Sequence, residues 1–357
     1  MTQSIEATEA PASEPQTPGS PAPGNGRGAS RVLGLLVAFV ALLVLVLLSI
    51  AIGSKNISFD AVMHGLFEPT GTDDDFVIRE LRIPRTVVGI VVGASLGVAG
   101  ALIQALTRNP LADPGILGVN AGAMLFVAIG VAVFGVASIQ GYIWFAFAGA
   151  LLVTVAVFAI GAAGRGGVEP LRLTLAGLAV GAALQGIVTA LILLDSEAFN
   201  KMRTWNAGTT VGRGFDVLLP VVPFLVVGVL IALWLASSLN AVALGDDLAR
   251  SLGISIGRTR VLTIIAVTLL AGTATAIAGP IGFVGLMVPH VARWITGPDQ
   301  RWIVAYTLVL APALVLAADV LGRVVMRPGE LPVGVVTAFV GAPMLIVLVR
   351  RRMASGL

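Results

Sequence analysis

Few side chains in this sequence are suited to chemistry. There is no cysteine, and the only imidazoles are those of His64 and His290. Without cysteine, no disulfide, iron–sulfur cluster or thiolate metal site can form. Neither histidine lies in a His-Glu-x-x-His pattern, the zinc-protease arrangement. The sequence therefore predicts no catalytic residue, no metal site and no cofactor.

Nucleotide hydrolysis is also unsupported. A P-loop needs a lysine between glycine and serine or threonine, because that lysine reaches the β- and γ-phosphates. Here Lys55 follows Ser54, and Lys201 follows Asn200. The chain is not expected to be an enzyme, and any ATP that drives it must be hydrolysed by another subunit.

One acid, Asp319, falls inside an apolar stretch. An acid at membrane depth is by default a functional candidate, for example the proton site of a secondary carrier. The other interpretation is a helix-end carboxylate paired with Arg323 four residues later, and this structural pairing is favoured.

The composition is that of a membrane protein. Hydrophobic residues make up 57% and charged residues only 11%, whereas a soluble domain has roughly 25% charged residues. The mean hydropathy is +0.98. The 43 glycines suit close packing of helices in lipid. The basic residues cluster at helix ends, which argues against nucleic acid as a partner and for membrane lipid.

Residues 1–30 differ from the rest because they are rich in Pro, Ser, Ala and Gly and predict a disordered tail. The next apolar run, about Leu33 to Ile52, has the length of a secretory signal peptide or of a membrane span. Its length near ~20 residues favours a retained first helix. Residues 31–352 are then one transmembrane domain.

A hydropathy reading predicts an all-α integral membrane protein of about ten helices. The candidate spans lie near 31–53, 84–106, 115–136, 141–163, 172–194, 216–236, 260–279, 282–296, 302–322 and 331–350. The eighth is short and contains Pro289. Ten crossings place both termini on one side, and the run Arg350-Arg351-Arg352 predicts that this side is the cytoplasm.

Two further patterns concern organisation. Val98-Ala99-Gly100 and Ile277-Ala278-Gly279 each precede a Pro/Gly-rich break, which suggests inverted halves of the kind found in transporters. Between the sixth and seventh spans, leucines at 244, 248 and 252 predict a short amphipathic helix that Gly253 ends. Such a helix could lie on lipid or in a groove of a partner.

Four segments resemble the permease subunits of bacterial ABC importers for iron–siderophores, haem and vitamin B12, the FecCD family. They are LRIPRTVVG from Leu81, GDDLARSLGI from Gly245, GPIGFVGLMVPHVAR from Gly279 and ELPVGVVTAFVGAPMLIVLVRR from Glu330. The resemblance covers 31–352. It implies a bacterial inner-membrane pore made with a second permease copy or paralogue, an ABC ATPase subunit and an extracytoplasmic substrate-binding protein.

The resemblance also implies roles for particular residues. The residues matching the coupling helix that docks on the ATPase are Leu244, Gly245, Leu248, Ala249, Leu252 and Gly253. Those matching the cytoplasmic gate are Asn109 and Leu111 with Pro110, and Pro170 with Leu171. Pore lining falls on Gly177, Gly181 and Gln185, although helix packing explains these glycines equally well.

Arg82, Arg85 and Arg323 match arginines that dock the binding protein, and pairing with Glu80 or Asp319 is the structural alternative. Asn109 could likewise simply cap the turn before Pro110. Ferric siderophores are the favoured substrate. Haem or cobalamin remain alternatives, as does a secondary transporter, although the last gives no reason for the GDDLARSLGI segment.

Overall fold

The computed structural model describes residues 26–136, 138–163, 170–194 and 196–354. Throughout these residues the regular structure is helical. Most of the predicted tail, residues 1–25, lies outside the described residues. The first helix begins at Gly26, a few residues before the predicted start. The α-helices are α1 Gly26–Ala51, α2 Phe59–Phe67, α3 Asp73–Phe76, α4 Ile83–Thr107, α5 Val119–Ala132, α6 Ile139–Ala162, α7 Pro170–Leu194, α8 Ser196–Asn206, α9 Phe215–Leu218, α10 Val222–Ala243, α11 Asp246–Ser251, α12 Ile256–Ala278, α13 Val284–Thr296, α14 Gln300–Val325 and α15 Val333–Ala354.

Each of the ten predicted spans coincides with a helix, but fewer meet the length and hydropathy of a full crossing. Among the described residues, seven helical segments do so, namely those that contain α1, α4, α6, α7, α10, α12 and α14. Val119–Ala132 and Val333–Leu348 are apolar but shorter, and α13 has 13 residues. The all-helical membrane class is confirmed, whereas the number of ten crossings is not.

The short helices α5 and α13 each begin directly after a residue whose backbone is in the left-handed region. Helix α5 begins after Gly118, whose φ is 76°, and α13 begins after Phe283, whose φ is 68°. A left-handed residue ends regular helical hydrogen bonding, so part of each span is irregular backbone. Irregular backbone at membrane depth is tolerated where protein surrounds it. A sliding hydropathy window does not detect this interruption.

The contacts between helices support the predicted internal repeat. In the first half, α5 packs against α6 and α7, and in the second half α13 packs against α14 and α15. The first helix of each half packs on the other half, so α4 contacts α13 and α14 while α12 contacts α5 and α6. This reciprocal pattern is expected of two related halves.

Helix α4 lies at the centre of the bundle. In its most apolar stretch 89% of the residues are buried, against 11% in α1 and in α7. Small residues allow the close approach, since a Cβ on Gly93 would lie 2.6 Å from the Pro312 backbone and one on Gly100 would lie 1.9 Å from the Gly285 carbonyl oxygen. The exposed faces of α1 and α7 are left for lipid or another subunit.

Two charged clusters mark the two ends of the bundle. At one end Arg108, after α4, donates to Asp246 before α12. At the opposite end Arg85, in the first turn of α4, donates to Asp319 of α14. We call these the Asp246 end and the Asp319 end. Helix α1 finishes at the Asp319 end and α15 starts there, so both described termini lie at the Asp246 end.

Candidate functional site

The segment from Leu244 to Gly253 is set off from its neighbours by two glycines. Gly245 has φ of 117° and Gly253 has φ of 78°, and a Cβ on either would meet open space. These backbone conformations favour glycine, so the chain turns out of α10, forms the six-residue α11 and turns again into α12. The helix is shorter than the predicted 244–252 because the Gly245 conformation delays its start.

The side chains of this segment divide into two faces. Ala249 is fully buried and packs against Val242 and Ile256. Leu244, Leu248 and Leu252 are 65%, 48% and 58% exposed. Three large apolar side chains exposed at one end of the bundle form a surface of the kind that marks an interaction site. We call these three residues the leucine face.

One carboxylate fixes α11 to the bundle. Asp246 accepts hydrogen bonds from the guanidinium of Arg108 and from Nη2 of Arg260 at 2.8 Å. Arg108 also donates from Nε to the Val242 carbonyl oxygen at 2.9 Å. Partial burial alone would raise the pKa of the Asp246 carboxyl, but the hydrogen bond from Arg108 and the charges of Arg260 and Arg108 outweigh it and lower that pKa below its ordinary value of 3.8.

The predicted gate residues of the first half lie directly beside this anchor. Asn109 is exposed, and its Oδ1 accepts from the Leu111 backbone N–H at 3.0 Å, so it caps the turn at Pro110. The Leu111 side chain packs against the cluster of Leu286, Met287 and Leu348. Of the second predicted pair, Leu171 is 63% exposed, and Pro170 begins α7, its side chain lying outside the described residues.

The predicted pore-lining residues occupy different surroundings. Gly177 is buried, and a Cβ there would lie 1.6 Å from the Ile116 carbonyl oxygen, so its small size serves helix packing. Gly181 has Ala121 as its nearest neighbour, at 3.9 Å from such a Cβ. Gln185 is exposed on the open face of α7. Pore lining by these residues stays a prediction.

At the Asp319 end an ionic cluster joins parts of the chain that are far apart in sequence. Arg85 grips the Asp319 carboxylate with Nη2 at 2.7 Å and Nε at 3.1 Å, and it reaches Glu330 at 2.6 Å. Asp319 also accepts from Arg323 one turn later and from the Thr210 hydroxyl at 2.9 Å. Four donors therefore satisfy a buried carboxylate, as a charge in this location requires.

The other arginines of this cluster hold the end of α1. Arg82 donates to the carbonyl oxygens of Ile50, Ala51 and Lys55 at 2.7 to 2.8 Å. Arg323 donates to those of Ser49 and Ile52 at 2.6 and 2.9 Å. Both side chains are buried. The predicted pairing with Asp319 is thus found for Arg323. Arg85 pairs with Asp319 and Glu330 rather than with the nearby Glu80, and Arg82 binds main-chain carbonyls, which satisfies the C-terminus of α1.

A polar cleft of about 310 Å³ opens beside this cluster. Basic side chains outnumber acidic ones on its walls. The charged residues that line it are Lys55, Glu80, Arg82, Arg85, Arg213, Arg323 and Glu330. A carboxylate that entered this cleft would meet several guanidinium groups, and guanidinium forks bind carboxylates well.

Comparison with known proteins settles the family. The family model described as the FecCD transport family matches residues 41–351. The chain belongs to the FecCD transport family. Members of this family are membrane permeases, pore subunits rather than enzymes, so this FecCD permease is not a catalyst.

Curated relatives align along nearly the whole FecCD permease. The ferric enterobactin transport system permease protein FepD of Escherichia coli (strain K12) is 45% identical over 92% of this chain and 98% of its own length. The iron(3+)-hydroxamate import system permease protein FhuB of Bacillus subtilis (strain 168) is 38% identical over 90% of this chain and 85% of its own length. A solved metal-chelate type ABC transporter in an inward-facing conformation has 26% identity and a TM-score of 0.79, covering 90% of this chain and 99% of that one.

Several residues of the FecCD permease that the sequence did not single out turn out to organise these sites. Arg108 and Arg260 hold Asp246, and Thr210 and Glu330 complete the cluster at Asp319. Arg260 lies 14 positions from its partner and the other three lie more than 100 positions from theirs, so no helical spacing reveals these pairs. The only local signal is that Arg108 and Asp246 are charges at the edges of apolar runs.

Proposed function

We propose that this permease forms, with a second permease subunit, the membrane pore of an ATP-driven importer of ferric siderophores. Support for the substrate comes from relatives named for ferric enterobactin and for iron(3+)-hydroxamate. A ferric siderophore carries many polar groups, each of which costs several kcal/mol to bury unpaired in hydrocarbon. Such cargo needs a protein-lined path.

The observation that carries the proposal is the leucine face. Leu244, Leu248 and Leu252 point away from the bundle while Ala249 packs into it. Leu248 lies in α11, and Leu244 and Leu252 flank it; a short helical segment with exposed apolar side chains fits a groove on a partner. We assign this partner as the ABC ATPase, because the sequence offers no P-loop of its own. The Asp246 end, with both described termini, is then cytoplasmic.

The pore itself is assigned to the open face of α7, paired with a second permease. Its most apolar stretch is only 11% buried, and Gly181 and Gln185 lie on that face. Asn109 and Leu111, together with Pro170 and Leu171, are assigned to the inner gate, because their loops lie between α4 and α5 and at the start of α7.

The binding protein is assigned to the Asp319 end. Arg82 and Arg323 are buried, the Arg85 side chain is only 11% exposed, and all three are already partnered within the chain, so they are not a free docking surface. Their contribution would come through the polar cleft, where a carboxylate of the binding protein meets the guanidinium groups that line it. In this proposal the three arginines have two roles, since they stabilise the fold and also attract the binding protein.

The decisive experiment is reconstitution of the full chain with its ATPase and binding protein in liposomes. We expect uptake of a ferric siderophore that depends on ATP, and loss of both ATPase copurification and uptake in Leu248→Arg/Leu252→Arg. Asp247→Asn, on the same helix, is the matched control and should behave as wild type. Uptake of haem or cobalamin instead would select those alternatives. Uptake driven by a proton gradient without any ATPase would contradict the proposal and favour a secondary transporter.

A further inference from the structure

The hydrogen bonds that Asp246 of α11 accepts from Arg108 and Arg260 connect α11 to α4 and to α12. We propose that Asp246 is the positioning residue through which movement of α11 reaches the end of α4 and the gate loop. This inference rests on the proposed function, since it presumes that the ATPase moves α11. It concerns how the two sites are connected, which the docking surface alone does not explain.

The first step is the position of Arg108. This residue caps the C-terminus of α4 in the left-handed region, with φ of 51°, which is uncommon for a residue other than glycine. From there its side chain crosses to α10 and α11, where Nε binds the Val242 carbonyl oxygen at 2.9 Å and Nη2 binds Asp246. A strained backbone is retained where surrounding contacts fix it, and these two hydrogen bonds fix this one.

The second step is the neighbour of Arg108 in sequence. Asn109 follows it directly and caps the turn that carries Leu111. Leu111 packs against Leu286 at the start of α13 and Leu348 near the end of α15. A displacement of Arg108 is therefore passed within three residues to the side chain that packs on the second half.

The third step is the way in which Asp246 differs from its neighbour. Asp247 is fully exposed and pairs with Arg250 inside the same helix at 3.1 Å. Asp246 is 27% exposed and pairs with residues of two other helical segments, 138 positions before it and 14 positions after it. The apolar cluster that contains Ala249 is formed with residues 242 and 256, and residues 241 and 254 pack against it, so all its members are close in sequence. The long-range connection from α11 to α4 is the Asp246–Arg108 pair.

The Asp246–Arg108 pair is suited to transmit a movement of α11 to α4. A charge-assisted hydrogen bond to guanidinium is directional and stronger than a neutral one. Asp246 uses one carboxylate oxygen for Arg108 and the other for Arg260. The end of α4 and the start of α12, which are the first helices of the two halves, are therefore held by a single carboxylate. Movement of α11 acts on both halves together.

The test uses the full permease assembled with its ATPase and binding protein in liposomes. Substrate transported per ATP hydrolysed is measured for wild type, Asp246→Asn and Asp247→Asn. We expect Asp246→Asn to keep ATPase copurification but to lower the transport ratio by roughly 5-fold or more, the lower range for coupling between two sites. Asp247→Asn should leave the ratio unchanged, and Asp246→Glu should restore most of it.

A normal transport ratio in Asp246→Asn would overturn the inference. If that variant fails to assemble, Arg108→Gln replaces it, because Asp246 then keeps Arg260 as its partner, and a normal ratio there is equally contrary. Failure of the wild-type chain to bind an ATPase at all would instead contradict the proposed function. The two failures are therefore distinguishable, since the ratio is interpreted only when the wild-type complex hydrolyses ATP.

Discussion

Gly100 of α4 lies directly against the backbone of Gly285 in α13. A Cβ on Gly100 would be 1.9 Å from the Gly285 carbonyl oxygen and 2.5 Å from the Gly285 Cα. Gln104, one turn later on α4, donates to the Gly285 and Leu286 carbonyl oxygens at 3.3 and 3.0 Å. Two glycines and the buried amide of Gln104 thus join α4, the first helix of one half, to α13 of the other half.

We predict that Gly100→Ala destabilises the permease. The added methyl group has no space and must push α13 away, and overpacking typically costs about 1–3 kcal/mol. Gly257→Ala is the matched control, because a Cβ there meets nothing within 4 Å. Thermal unfolding in detergent should show a lowered Tm for the first variant and an unchanged or higher Tm for the second. Equal Tm values would contradict the prediction, because they would mean that α13 moves to accommodate the added methyl group at no cost in stability.

We predict a larger loss of stability for Asp319→Asn. Arg85 and Arg323 are buried around this carboxylate, with side chains 11% and 1% exposed. Removing one partner of a buried ion pair leaves uncompensated charge and costs about 3–5 kcal/mol. Glu68→Gln, at an exposed carboxylate, is the control. The yield of folded protein and its Tm measure the effect, and a wild-type Tm in Asp319→Asn would rule out a structural role for the cluster.

The docking proposal predicts a specific defect in Arg82→Gln/Arg85→Gln. Binding-protein-stimulated ATPase activity should fall, and the residual association should lose part of its salt dependence, because salt screens the attraction between the positive cleft and a carboxylate that approaches it. Since both arginines also hold α1 and α14 in place, Tm must be measured beside activity. Unchanged stimulation in a folded double variant, across a range of salt, would leave these residues with the structural role alone.

The gate proposal predicts disulfide formation across the pore. The chain has no native cysteine, so Asn109→Cys and Leu111→Cys report without background. With an added oxidant, each should crosslink two permease subunits in states where the cytoplasmic side is closed, and the disulfide should fail to form in states where that side is open. Glu68→Cys, at the Asp319 end, is the control and should stay uncrosslinked. Absence of crosslinks at 109 and 111 in every nucleotide state would place the gate elsewhere.

The pH dependence of the hydrogen bonds between Asp246 and its arginines follows from the pKa of the Asp246 carboxyl. Arg108, Arg260 and Arg250 lower the pKa of this carboxyl below 3.8, against partial burial, which raises it. A group with a depressed pKa contributes above its unfolded pKa and loses that contribution as pH falls through the folded value. Asp246 therefore stays ionised between about pH 5 and 8, and its titration should not change the transport ratio in that range. A titration in that range that disappears in Asp246→Asn would contradict this assignment.

Sequence periodicity predicted much of the architecture, because lipid requires long apolar helices and these are visible in a hydropathy window. It predicted α13 as a short span containing Pro289, but it could not show that this helix begins after a left-handed Phe283, because composition does not reveal backbone angles. The segment 244–253 was recognisable because its leucine spacing and its glycines are local. The clusters around Asp246 and Asp319 were not, because their partners depend on tertiary packing. Only the Asp319–Arg323 spacing of four residues was visible in advance.

The Arg85–Asp319 pair also sets an order of events during synthesis. The two residues are separated by 234 positions, which a ribosome adds in roughly 10–50 s at 5–20 residues per second. During that interval α4 is already made while its carboxylate partner does not exist. The arginine must stay hydrated at the rim of the bilayer, and the corner of α1, α4 and α14 closes only once α14 has been inserted. Maturation of this end of the permease is therefore governed by the second half of the chain.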